Sequence, residues 1–446
     1  MKIKTKRVPL AQAMAIKPPK HKHPGRPWFL FRTLVRLLSI GELCATKFTY
    51  EKVDMERAGK GPYLILMNHS SFLDLKIASK IFYPKPYNIV STTDGLVGKE
   101  WLMRVIGCTP TQKFVPDISL IGDIQYALHK KKRSVLMYPE AGYSFDGCAT
   151  TLPRMLGMLL KRLKVPVVSV ITQGAFLHQP LYNELHMRKT KVTATVKCIL
   201  TPEEIASKSV AELDAILDET FNFDAFAYQR QHHIPIKEDN RADGLNRILY
   251  RCASCGAEGQ MEGKGTTLTC HHCGKTYVLD EYGMLEATEG ETEFSHIPDW
   301  YHWERDCVKR EIASGAYQMD LDVEIGILAD YKALYLVGNG RLVHTPDGFT
   351  LTHENGEVLY TQPPTYSHSL NADYFWYEIG DVICVGNKDR LFYCFPREKD
   401  VVTKARLATE ELYTLAQASR RSRRCTTECS PECPCIEETP TPTPQS

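Results

Sequence analysis

His69 and Asp74 close the apolar run Leu64–Met67 in the stretch "LILMNHSSFLDLKIASK". A neutral imidazole can take a proton from a hydroxyl near pH 7. A carboxylate on the other ring nitrogen fixes the tautomer and stabilises the imidazolium that forms. Five positions along a helix carry a side chain well past its neighbour. The pair therefore meets only if His69 sits in the loop before a helix and Asp74 in the first turn. Ser71 followed by Asp74 fits a capping box, which sets a helix start at that place. The same two residues also satisfy a plain helix cap with no chemistry attached. A second group is more specific. Cys252 and Cys255, then fourteen residues, then Cys270 and Cys273 make two CxxC knuckles, followed by Gly256 and Gly274. That is the spacing of a zinc ribbon. Four thiolates leave no open coordination position, so the expected zinc is structural.

The elements that must hold these residues follow from the pattern around them. From about 60 to 200 the chain alternates short apolar strands ("YLILM", "KPYNIVST", "SVLMYP", "VPVVSVI", "KVTATVKCIL") with helical segments. That order predicts an α/β domain with a mixed, largely parallel sheet. The segment "HHIPIKEDNRADG" reads as a polar linker. The zinc ribbon is expected over 248–285, and a helix carrying Trp300, Tyr301 and Trp303 after it. Short strands separated by "NGR", "PDG", "ENG" and "GNKD" turns follow, closed by one helix. They suggest a small β-rich module of PH-like or GRAM-like type. The expected organisation is a basic amphipathic membrane-associating segment at 1–47, the α/β domain at 48–235, the ribbon at 248–285, the β-rich module at 290–420 and a disordered tail at 421–446. The tail's Cys425, Cys429, Cys433 and Cys435 could bind metal only with a fold to hold them.

Three further stretches stand in a fixed order after the histidine: "IGCTPTQKF", "YPEAGYSFDG" and "VPVVSV". Strand–Asn-His-x-x-x-x-Asp, a basic segment, Pro-Glu with a turn and Val-Pro-Val-Val together resemble the glycerolipid acyltransferase family of lysophosphatidate type, over roughly residues 28–220. The resemblance implies a fatty acyl group moving from an acyl-CoA or acyl carrier protein thioester to the hydroxyl of a lysophospholipid, 1-acylglycerol-3-phosphate first among the acceptors. It implies His69 as general base, Asp74 as its orienting partner, and Glu140, Gly142 and Ser144 shaping the acceptor site. Lys113 is then the candidate phosphate contact. No serine or cysteine nucleophile is required, because the acceptor hydroxyl attacks directly. The phosphate-binding parts depart from the family. Its usual Pro-Glu-Gly-Thr-Arg-Ser reads Pro139-Glu140-Ala141-Gly142-Tyr143-Ser144 here, and Lys113 precedes Phe114 where an arginine generally follows the phenylalanine. Neither lysine nor tyrosine clamps phosphate in the bidentate way arginine does.

Charge distribution bears on the partners. The chain has 446 residues and a net charge of only +2, which does not mark a nucleic-acid binder. Residues 1–41 contain no acid and ten Lys or Arg. Arg32 and Arg36 interrupt the apolar run "RPWFLFRTLVRLLSIGELCA", making it a poor signal peptide and too broken to span a bilayer. At helical spacing it is amphipathic, with Trp28 at its start, as for a helix lying in a membrane surface. The expected partners are membrane lipids and the thioester donor, with no nucleic acid. The expected location is peripheral, on the cytoplasmic face of a membrane. With no secretory signal, most of the 15 cysteines are expected as thiols or metal ligands. The rival reading is a non-catalytic membrane adaptor that keeps the fold as a lipid-binding scaffold. The ribbon loop "GAEGQMEGKGTTLT" is not basic, and an accessory role is expected for it, with chelation unfolding 248–285 locally.

Overall fold

The computed structural model describes residues 2–154 and 156–428. Its first sheet has seven strands, in the order Thr49–Val53, Thr193–Leu200, Val167–Gln173, Leu64–Met67, Ser134–Met137, Tyr87–Thr92 and Cys108–Thr111. Every neighbouring pair is parallel except Val167–Gln173 against Thr193–Leu200. The central strand "LILM" is buried at all four positions. A strand covered on both faces needs such a continuous apolar run. Alternation then divides its side chains. Ile65 and Met67 join Leu136, Val168 and Val170 in one core layer, whereas Leu64 and Leu66 join Val135 and Val167 in the other.

A four-stranded antiparallel sheet follows, Met261–Lys264, Thr267–Cys270, Thr276–Leu279 and Leu285–Ala287. After the helix Ile297–Ala313 comes a larger antiparallel sheet. Its order is Val358–Gln362, Gly348–His353, Leu334–Thr345, Met319–Leu328, Leu391–Pro396, Gly380–Gly386 and Asn371–Trp376. The helix Val402–Glu428 packs across its last strands. One apolar core joins these parts. It runs from Phe145, Phe176 and Phe226 of the α/β unit through Tyr250, Leu268 and Tyr277 beside the cysteines to Trp300, Ile325 and Tyr374.

Two stretches behave differently from the sequence expectation. Thr5–Arg7 forms a parallel edge strand against Leu334–Leu336 of the larger sheet, so the basic start of the chain is partly spent on that sheet. The segment "HHIPIKEDNRADG" is packed rather than free. Ile236 and Ala242 are buried, the Ile236 N–H donates to Glu281 O (2.7 Å), and Arg241 Nε donates to Leu279 O (2.7 Å). Its apolar residues are too sparse to show a period, and only their distant partners bury them. The C-terminal helix keeps a helical backbone to Glu428. The disordered tail expected from 421, with Cys429, Cys433 and Cys435, otherwise lies outside the described residues.

Residues 17–27 run as an irregular strap from the larger sheet to the helix Phe29–Leu38. The strap crosses the α/β unit, where Asn88 Nδ2 donates to Gly25 O (3.0 Å) and Arg133 donates to Gly25 O and Pro24 O. Gly107, at φ +109°, lets it pass: a Cβ there would lie 2.5 Å from Pro27. No residue of Phe29–Leu38 is buried, and Phe29, Leu30, Leu34, Leu37 and Leu38 all face solvent. Trp28 and Phe31 lean on the exposed Trp101. Among the described residues, no helix is long and apolar enough to cross a membrane.

Candidate active site

Parallel strands bring their carboxyl ends to one edge, where open α/β sheets collect functional loops. Here that edge holds His69 after Leu64–Met67, Tyr138–Glu140 after Ser134–Met137, and Lys113 after Cys108–Thr111. Asn68 ties the first loop down. Its side chain is fully buried, donates to Thr172 O (3.1 Å) and accepts from the Thr172 N–H (2.8 Å).

Asp74 opens the helix Asp74–Phe82 and is buried. Its Oδ2 accepts from His69 Nδ1 (2.9 Å), the Ser70 N–H (3.0 Å) and the Ser71 N–H (3.2 Å). One oxygen thus serves both cap and imidazole. The expected reciprocal box is only half formed, since Ser71 Oγ accepts from the Leu73 N–H rather than from Asp74. The bond to Asp74 assigns the proton to Nδ1 and leaves Nε2 with the lone pair. The imidazole lies between two tyrosine rings, Tyr138 at 4.0 Å and Tyr143 at 3.9 Å, both stacked. Aromatic pairs contribute about 0.5–1.5 kcal/mol each beyond their area, enough to preset the ring plane. Burial lowers the His69 pKa; the bond to Asp74 opposes this, and the nearby Lys113 charge adds to the lowering. The imidazole is therefore held neutral, and burial keeps both tyrosine hydroxyls protonated.

Glu140 and Ser144 are buried and engaged within the protein. Glu140 accepts from the His69 N–H (3.1 Å) and from Thr150 Oγ1 (2.9 Å), and burial pushes its pKa up to about 7. Ser144 Oγ donates to Cys148 O (2.6 Å), and the Ser144 N–H donates to His69 O (3.4 Å). Both residues set the two loops against each other. A Cβ on Gly142 would touch the Phe114 ring at 3.4 Å, which places this motif beside the Lys113 segment. Lys113 Nζ lies 5.5 Å from the Tyr143 ring centroid and 3.8 Å from Asp373 Oδ2 of the larger sheet. Burial raises the Asp373 pKa to about 6, with Lys113 opposing. Arg406 of the C-terminal helix donates to Tyr143 O (3.1 Å). At the position where the resembled motif has an arginine, this chain has a tyrosine that packs on the His69 ring.

Tyr138, Asp373 and Thr150 escape the sequence reading. Tyr138 stands beside the Pro-Glu motif, and the adjacency of two parallel strand ends could have pointed to it. Nothing local marks Asp373, which meets Lys113 from 260 positions away.

The four cysteines also converge. Cys252 and Cys273 Sγ are 3.8 Å apart, as are Cys255 and Cys270 Sγ, and all four lie within 4.8 Å of one another. A tetrahedral ion with Zn–S of about 2.3 Å separates its sulfurs by about 3.8 Å. The donor set and spacing fit a structural zinc, far from His69 in the chain.

A partly exposed His69 paired with a buried Asp74 thus sits at the carboxyl edge of a largely parallel sheet. Residues 47–173 match a sequence model of the acyltransferase family, and this part of the chain is an acyltransferase domain. Among solved structures, the chain is similar to the 1-acyl-sn-glycerophosphate (LPA) acyltransferase PlsC from Thermotoga maritima. Identity is 16% and the TM-score 0.34, over 43% of this chain and 76% of that one. No curated protein matches the sequence.

Proposed function

We propose that the protein transfers a fatty acyl group from acyl-CoA or acyl carrier protein to the hydroxyl of a lysophospholipid at a membrane surface, with 1-acylglycerol-3-phosphate the first acceptor to test. The observation that carries this reading is the 2.9 Å bond from His69 Nδ1 to Asp74 within an acyltransferase domain. His69 Nε2 takes the hydroxyl proton as the oxygen attacks the thioester carbonyl. The tetrahedral intermediate collapses with loss of the C–S bond, and the imidazolium returns its proton to the leaving thiolate. Asp74 stabilises the imidazolium between the two steps. Lys113 is the acceptor-phosphate cation, and the phosphate must compete with Asp373 for it. Tyr138 and Tyr143 keep water from the base. A structural zinc holds the four cysteines. The exposed apolar side of the helix Phe29–Leu38 supports a peripheral position on a membrane, and the cytoplasmic face is the one we propose.

Thiol release from acyl-CoA in the presence of lysophospholipids tests the reading. His69→Ala should lower the rate by about 10²–10⁴-fold, and Asp74→Asn should lose most activity through the wrong tautomer. A His69→Ala enzyme within a few-fold of wild type removes the mechanism. Two observations favour a second reading, the non-catalytic lipid-binding scaffold: Tyr143 stands in place of the family's arginine, and Lys113 is already paired with Asp373. Lysophospholipid binding with no thiol release over a panel of donors and acceptors would select it.

A further inference from the structure

We propose that His21, His23 and Asp123 form a second metal site, for a borderline divalent ion of the zinc, cobalt or nickel type, which clasps the strap to the α/β unit. His21 and His23 lie two positions apart on the strap, and both rings turn to one carboxylate. His21 Nε2 is 3.0 Å from Asp123 Oδ2, and His23 Nδ1 is 2.9 Å from Asp123 Oδ1. One ligand atom from each residue falls within 4.8 Å of the others. An ion bound at about 2.0–2.1 Å keeps tetrahedral ligand atoms about 3.3 Å apart, so small ring rotations admit it. Imidazole and carboxylate donors suit zinc, cobalt or nickel better than magnesium or calcium, which prefer oxygen alone.

The carboxylate supplies the second argument. Asp123 is on the helix Ile118–Gln125 with its side chain 6% exposed. Among the described residues, its ion-pair partners are the two histidines alone. A nearly buried carboxylate is costly without a cation close by, and the two rings beside it offer lone pairs to hold one. An ion compensates it: each ring gives the lone pair of the nitrogen facing Asp123 and carries its proton on the other nitrogen. His23 is further fixed by stacking on Tyr126, with centroids 4.5 Å apart. His21 and Asp123 also line a groove of about 290 Å³ with Lys22, Arg104 and Asp117. That groove gives water or a small anion access to a fourth coordination position. Three protein ligands and an open position distinguish this site from the closed four-cysteine cluster.

Cobalt titration of the full-length, metal-stripped protein without a histidine tag separates the two sites. Cobalt on the four cysteines gives an intense thiolate charge-transfer band. Cobalt on His21, His23 and Asp123 gives only ligand-field bands. Two equivalents are expected per wild-type chain, one of each type. His21→Ala/His23→Ala should lose the second and keep the thiolate band, which also reports that the neighbouring core is folded. Asp123→Asn should weaken the second equivalent alone. Failure of the ribbon removes the thiolate band and leaves the other, so the two assignments fail separately. Absence of the non-thiolate equivalent in the wild type, or its survival in the double variant, overturns the proposal and leaves two ordinary His–Asp hydrogen bonds.

Discussion

Burial and the Lys113 charge hold the His69 imidazole below its ordinary range, and a base works only when unprotonated. The acid limb of kcat/KM should therefore lie below the ordinary imidazole value of about 6.5. Lys113→Met removes one of the lowering causes, so the limb should move up. A pH–rate profile of the two proteins checks this; an unmoved limb would show that Lys113 does not reach the base. Glu140 titrates with the opposite sign. Its folded pKa of about 7 exceeds the ordinary 4.5, so the native state binds the extra proton between those values. Its contribution is full below the lower value and declines as pH rises to the upper one, by at most about 1.4 kcal/mol per unit. Asp373 acts in the same sense, with a folded pKa of about 6. The informative quantity is thus the difference between wild type and Glu140→Gln. Denaturant unfolding across that range should show a smaller loss of stability in the variant, and parallel curves would refute it. His69 and Asp74 were legible because a strand end and a helix start fix their relation locally. The tyrosine sandwich was not, since Tyr138 comes from a neighbouring strand.

The helix Phe29–Leu38 carries its apolar face unburied, although such a face normally packs on a core. Leu34→Asp/Leu37→Asp changes only residues exposed in this fold, so stability should hold while co-sedimentation with anionic vesicles falls sharply. Vesicle binding equal to wild type would mean that this helix is not the membrane contact. Point changes are a cleaner test than deleting 1–47, which would also remove the Thr5–Arg7 edge strand. The amphipathic period of that helix was readable because Arg32 and Arg36 interrupt it at helical spacing. The edge strand was not. "TKR" is three exposed, polar residues, and only the backbone of Leu334–Leu336 makes it a strand.

At the scale of the whole molecule, the four-cysteine sheet is a bracket rather than a spacer. Trp300 Nε1 donates to Arg251 O (2.9 Å), Tyr277 packs edge-on to Trp300, and Lys404 of the C-terminal helix reaches Glu258. The sequence expectation of purely local unfolding on chelation treated 248–285 as self-contained, because the CxxC spacing is visible and the shared core is not. A metal ion on the four cysteines would add its binding free energy to this shared core. Cys255→Ser should therefore lower the thermal midpoint of the whole chain, with hydrogen exchange rising at the ribbon and also in Ile297–Ala313. Exchange confined to 248–285 would restore the modular picture. The alternation of strands and helices made the first sheet foreseeable, the later run of turns the last, and the CxxC spacing the ribbon between them. Their fusion into one core rests on contacts between residues from about twenty to more than a hundred positions apart, which leave no period in the chain.

The pairing of Thr5–Arg7 with Leu334–Leu336 also sets a timetable. Synthesis at about 5–20 residues per second delivers the partner strand roughly 15–65 s after the first. Through that interval the strap has no fixed upstream end, while the amphipathic helix beyond it has already left the ribosome. The membrane contact proposed for that helix is therefore open before the beginning of the chain is sewn into the last sheet made. The order of birth thus lets the proposed attachment precede completion of the fold.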